Sequence, residues 1–235
     1  MSFKLSHPRL GLINVRILST ARNITARWKS PDLLSITVPA ATRQRELDKA
    51  LRELEPRLLA KRPVATAYCP GWQFETPEMT FTVASGRRPG YFEGSVDRAN
   101  RQTTLFLPPD ATADDMPLFG QWVVKTLKRY SQTHAERILV PRAHDMATQL
   151  NVHPASISIS YGQRVLGRCN SRGEILLSRN LVFYPTELRE LVIAHEFAHL
   201  THMNHSAAFK QLLNTYVDGR LKLLEKKLKT FRLPF

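Results

Sequence analysis

The sequence predicts an α+β protein, β-rich towards its N-terminus and helical in its C-terminal half, and three features carry that prediction. Apolar and polar residues alternate through the first forty positions, the period of half-buried strands. Leu47, Leu51, Leu54 and Leu58 then recur at helical spacing. Far downstream, Leu191 to Leu200 is apolar at every position except His195, Glu196 and His199, the pattern of a helix buried on most sides with its polar groups gathered in one place.

The chain has 235 residues, 43% of them hydrophobic, enough for one large domain or two small ones sharing a core. The expected division is a β-rich region with one helix over residues 1–110 and a second region over 111–235, the two able to form one continuous domain. No basic stretch followed by an apolar run opens the chain, and no apolar stretch approaches 18 residues, so a cytoplasmic protein without a membrane span is expected. Cys69 and Cys169 are too few for a disulfide framework and read as ordinary thiols.

Taken in order, Ile13, Val15 and Ile17, then Ile24, Ala26 and Trp28, then Leu34, Ile36 and Val38 predict three strands. Turn formers at Asn23 and at Ser30-Pro31-Asp32 make them an antiparallel meander. Arg43 to Lys61 follows as an amphipathic helix interrupted or kinked near Pro56. Met79 to Val83 and Thr104 to Leu107 predict more strands, with Arg87-Arg88-Pro89-Gly90 as a basic turn. From Asp110 to Asp115 a helical region opens and reaches Tyr130 or His134, and a second helix runs from Arg142 to Leu150 after Pro141. Ile157, Ile159 and Tyr161 alternate as a strand; Ile175 to Leu177 form another, the candidate edge strand. Leu221, Leu224 and Leu228 space a basic tail helix to dock on the body rather than on a membrane.

His195-Glu196-Phe197-Ala198-His199 is H-E-x-x-H. On a helix, residues four apart share a face, so two imidazoles hold one zinc between them while the acid reaches the water beside it. Helix signals agree: Pro185 suits a first position, Thr186 a cap, and Glu187 and Glu190 favour the positive end of the dipole. Burying two imidazoles and a carboxylate unpartnered is costly, and a metal removes that cost.

Catalytic zinc takes three protein ligands, and three residues compete for the third place. His202 lies about 10 Å along a straight helix axis from His195, too far to share a tetrahedral site. Glu225 sits among Lys226, Lys227 and Lys229, with nothing around it that looks buried. His205 is favoured, provided a turn at Met203 and Asn204 ends the helix and swings it back.

The segment His195 to Phe209, H-E-F-A-H-L-T-H-M-N-H-S-A-A-F, resembles the YgjP-like metallopeptidases and more distantly the SprT-like and Wss-like proteases. The resemblance implies a zincin-like metallopeptidase fold, zinc at His195, His199 and His205, and Glu196 as the catalytic residue. Upstream, where such families carry Arg-Trp-Gly-Ser-Cys and then Asn-Trp-Arg-Leu, this chain has Val165-Leu166-Gly167-Arg168-Cys169 and Ser178-Arg179-Asn180-Leu181. Only Gly167, Cys169 and Leu181 persist, which marks a divergent branch.

The function expected is zinc-dependent hydrolysis of peptide bonds in a peptide or protein substrate, with water activated by zinc and Glu196 as general base. Tyr161, Arg164, Tyr184 and His202 are the candidates for stabilising the oxyanion. The net charge of +14 is uneven: the excess is +8 over residues 1–62, +1 over 63–219 and +5 over 220–235. Those basic ends predict a weak, salt-dependent affinity for nucleic acid. They also support two alternatives: a zinc-stabilised nucleic-acid-associated binding protein, or a protease recruited to DNA-bound proteins. No helix-turn-helix or finger motif accompanies the charge.

Overall fold

The computed structural model describes residues 2–30, 33–62, 67–162 and 165–235. The chain divides into two compact units, Met1–Thr66 and Ala67–Phe235. The division therefore falls at 66/67 and not near 110. The reason lies in the core: Phe81, Val83 and Leu105, expected with the N-terminal region, are buried in one cluster with Phe119, Val123 and Leu127 of the helix that follows.

In the first unit, β1 (Ser2–His7), β2 (Gly11–Leu18), β3 (Thr25–Ser30) and β4 (Leu33–Pro39) form a sheet of order β1-β2-β4-β3. The central pair β2 and β4 runs parallel. The expected meander is thus overturned, and β1 is an edge strand that the alternation does not announce. Pro31 and Asp32 of the expected turn lie outside the described residues. Helix α1 (Gln44–Ala60) runs on through Pro56. Its Leu47, Leu51 and Leu58 are buried with Ile13, Val15, Leu34 and Ile36 on one face of the sheet, and the Trp28 indole donates to the Leu58 carbonyl at 2.9 Å.

The second unit opens with the same module. Strands β5 (Gln73–Glu75), β6 (Thr80–Ser85), β7 (Glu93–Asp97) and β8 (Gln102–Leu107) order as β5-β6-β8-β7, again with a parallel central pair between antiparallel flanks. The register repeats as well. Ile13 and Val15 pair with Leu34 and Ile36; Phe81 and Val83 pair with Thr103 and Leu105. Each module ends in a helix that covers the face these residues share.

That second helix, α2 (Met116–Gln149), is continuous where two helices were expected. Pro141 removes one backbone hydrogen bond. Against that loss stands a stripe at every fourth residue, Phe119, Val123, Leu127, Ser131, Ala135, Leu139, Ala143 and Ala147, buried on both sides of the proline. Tertiary packing holds the helix where local propensity would break it.

Three strands follow, β9 (Ser156–Ser160), β10 (Gly167–Cys169) and β11 (Glu174–Ser178), in the order β10-β11-β9. Strand β11, antiparallel to β10 and parallel to β9, is central, so the expectation that Ile175 to Leu177 is an edge is overturned. The edges are β9 and β10, and the one that lies against Glu196 is β10, a strand too short for alternation to reveal. A short 3-10 helix (Arg179–Phe183) leads into α3 (Thr186–Ala198), α4 (Ala207–Tyr216) and α5 (Leu221–Thr230). Leu221 and Leu224 of α5 are buried in the core of the unit, with Leu228 packed against it, as their spacing predicts. Among the described residues no helix is long and apolar enough to cross a membrane.

Candidate metal centre

The roles expected at the start of helix α3 are exchanged: Pro185 is its N-cap and Thr186 its first residue. Its first turn is clamped by Arg189. That buried guanidinium makes two 2.6 Å bonds to the Glu78 carboxylate and donates to the carbonyls of Tyr184 and Val182 at 2.8 and 2.6 Å. Each of its three nitrogens has a partner, and a carboxylate meets the buried charge. Nothing in the local pattern singles out Arg189, because its partner Glu78 is 111 residues away.

From this clamp the helix carries His195, Glu196 and His199 to its C-terminal end. It stops at His199, its C-cap, earlier than the expected turn at Met203 and Asn204. Asn204 is not among the residues with positive φ, so the reversal needs no left-handed residue there. Thr201 and His202 instead donate their N–H groups to the Ala198 carbonyl at 3.2 and 2.9 Å, closing the helix end. Ser206 then caps α4, its hydroxyl accepting from the Phe209 N–H at 3.2 Å. The chain thereby returns His205 to the helix it has just left.

The three imidazoles converge. One nitrogen from each of His195, His199 and His205 lies within 4.8 Å of the others, and the Nε2 atoms of His195 and His205 are 3.1 Å apart. Four ligands at about 2.0–2.1 Å in a tetrahedron place nitrogens a little over 3 Å from one another, so this spacing suits an ion between them. Phe209, fully buried, forms the floor, its ring centroid 5.0, 4.6 and 4.8 Å from those of His195, His199 and His205. His202 supplies its backbone rather than its ring: its carbonyl is 3.0 Å from His199 Nδ1. A proton held there on Nδ1 leaves the Nε2 lone pair free for a ligand bond. Burial, then the neighbouring His199 and His205, pull the His195 pKa down to about 4, which keeps its lone pair available near neutrality.

Glu196 is 5% exposed. Burial pushes its carboxyl up to about 7, against a hydrogen bond from the Cys169 backbone N–H that favours the charged form. That donor lies on β10, and the strand pattern explains its availability. Leu166 and Asn170 bond to Ser178 and Glu174, so the backbone groups of Gly167 and Cys169 turn away from β11, towards α3. The Cys169 thiol is held above its usual range by burial and by the Glu196 charge. Gly167, which persists in the diverged motif, lies against the Glu196 side chain, where no Cβ fits.

The other candidates lie elsewhere. Glu225 is exposed on α5 and outside the histidine group. Tyr184 is buried against Phe231. Tyr161 is exposed, with the Arg179 guanidinium 5.6 Å from its ring centre. Arg164 lies outside the described residues. No oxyanion-stabilising side chain is assigned.

Residues 110–231, just over half of the chain, match the family model described as YgjP-like, metallopeptidase domain. The chain belongs to the YgjP-like metallopeptidase family. No curated protein and no solved structure matches it. A metallopeptidase domain implies a metal ion, and in this YgjP-like chain His195, His199 and His205 are the described residues grouped to hold one.

Proposed function

We propose that the chain is a zinc-dependent, zincin-like metallopeptidase with His195, His199 and His205 as the metal ligands and Glu196 as general base. One observation carries the reading: three neutral-capable imidazoles converge beside a buried carboxylate whose proton affinity burial has raised. Three imidazoles suit zinc, and three ligands leave a fourth position open. When bound, the metal would polarise both a water molecule and the carbonyl of the bond to be cut.

The chain's own residues then supply the rest. His199 is fixed in the tautomer that presents Nε2, through its Nδ1 contact with the His202 carbonyl. Glu196, aimed by the Cys169 N–H, accepts the proton of the attacking water at a carboxylate oxygen and returns it to the departing amine. Strand β10, rather than Ile175 to Leu177, offers the outward backbone groups of Gly167 for an extended substrate to pair with.

The reading is tested by stripping the protein with chelator and restoring zinc. Cleavage of an unfolded protein substrate is expected to disappear with the metal and to return with one equivalent of zinc per chain. Cleavage that persists after complete removal would contradict it.

A further inference from the structure

The two four-stranded modules share strand order, strand sense and register, yet the open faces of their sheets carry opposite charge. Strands β5 to β8 contain no lysine or arginine and three acids, Glu75, Glu93 and Asp97. Strands β1 to β4 contain no acid and four bases, Lys4, Arg16, Arg27 and Lys29. The fold therefore does not dictate the charge of this face. In the first module the face is cationic by composition.

The register places three of these cations, Lys4, Arg16 and Arg27. Ile13, Val15, Leu34 and Ile36 point to α1 and are fully buried, so the alternate residues point the other way. One row across the open face reads Lys4, Asn14, Ser35, Arg27, and the next reads Ser2, Arg16, Thr37, Thr25. Lys4 and Arg27 stand three strand spacings apart, roughly 14 Å. Lys4, Arg16, Arg27 and Lys29 are all exposed. Among the described residues none of the four has a carboxylate partner, and the described acids of this unit lie on α1, which packs on the opposite face. Between the cations sit hydroxyls and an amide, groups that hydrogen-bond phosphate oxygens without reading sequence.

We propose that this open face binds the phosphate backbone of duplex nucleic acid, independently of base sequence. Charge complementarity selects a polyanion: a duplex carries about one charge per 1.7 Å of axis, so a face of this size meets several phosphates at once. The absence of an aromatic side chain among these two rows selects duplex over single strand, because single-strand binders stack bases on such rings. The proposal stands apart from the peptidase reading, since binding is measured without turnover.

The test uses the full chain, a duplex of random sequence about two helical turns long and fluorescence anisotropy at several salt concentrations. Replacing Lys4, Arg16 and Arg27 together by Gln is expected to weaken binding and to lower the log–log salt slope by about 2 to 3, close to 0.9 for each phosphate no longer neutralised. Replacing Lys222, Lys226 and Lys229 of α5 by Gln removes the same charge elsewhere and is expected to leave the slope nearly unchanged. Arg16→Gln alone, the mildest change, is expected to lower it by about 1. Arg16→Lys with Arg27→Lys keeps the charge and is expected to keep the binding. The proposal is overturned by an unchanged slope in the triple sheet variant, by equal weakening in the α5 variant, or by loss of binding in the Lys-for-Arg variant. Tighter binding to single strands of equal length, or to phosphatidylserine vesicles, also overturns it.

Discussion

Gly167 lies so close to Glu196 that a Cβ added to it would stand 2.7 Å from Glu196 Cγ and 2.8 Å from Cδ, and nearer still to Oε1. Edge strand and helix thus share one volume, and only a residue without a side chain lets the carboxylate stay beneath the strand. Overpacking of this kind costs about 1–3 kcal/mol. Gly167→Ala is expected to destabilise the protein by that amount in urea unfolding, and to cost much less in a Glu196→Ala background, where the space is empty. Equal cost in both backgrounds would place the strain elsewhere.

The buried carboxylate also predicts a pH dependence in the metal-free protein. Its folded pKa of about 7 exceeds the ordinary 4.5, so the folded state binds the proton more tightly than the unfolded state. Stability from this group is complete below about pH 4.5 and is lost as pH rises towards 7. His195 acts in the opposite sense, its depressed pKa costing stability as pH falls from 6.5 towards 4. Comparing wild type with Glu196→Gln isolates the carboxylate. The variant is expected to match wild type below about pH 4.5 and to exceed it by on the order of 3 kcal/mol above about pH 7. A difference that does not vary with pH would show that Glu196 titrates normally.

Among the histidines, the geometry separates ring from backbone. His205→Ala is expected to lose bound zinc on dialysis, whereas His202→Ala keeps it, because His202 contributes its carbonyl to His199. Elemental analysis of both variants decides, and retention of zinc by His205→Ala would remove that residue from the ligand set.

What the sequence shows of this site is what local spacing can show. His195 and His199 are one helical turn apart, so their pairing is legible in the order of residues alone. His205 is favoured through a turn at Met203 and Asn204, whereas the helix ends at His199 and a Ser206 cap that the sequence reading misses opens the next one. Arg189 with Glu78 and Gly167 with Glu196 are hidden, since each pair joins distant segments whose meeting only the fold decides. The same limit explains the strands. Alternation locates β2 and β4, but their parallel pairing requires β3 to be placed outside β4, which no short-range signal records. Pro141 misleads for the converse reason. Its local effect is real, and a buried stripe running the length of α2 outweighs it. The repetition of the first module in the second rests on register and not on residue identity, so it is invisible until the pairing is known.

The central claim is that Glu196 takes the proton of the attacking water. Glu196→Gln preserves the shape and an acceptor for the Cys169 N–H, and leaves the three histidines untouched, but it removes the base. The measurement is cleavage of an unfolded protein or peptide library by wild type and Glu196→Gln, each with zinc content confirmed and with chelator as control. The account predicts equal zinc in the two proteins and a rate lower in the variant by a factor on the order of 10² to 10⁴, the usual contribution of a positioned acid or base. Equal rates at equal zinc would contradict it.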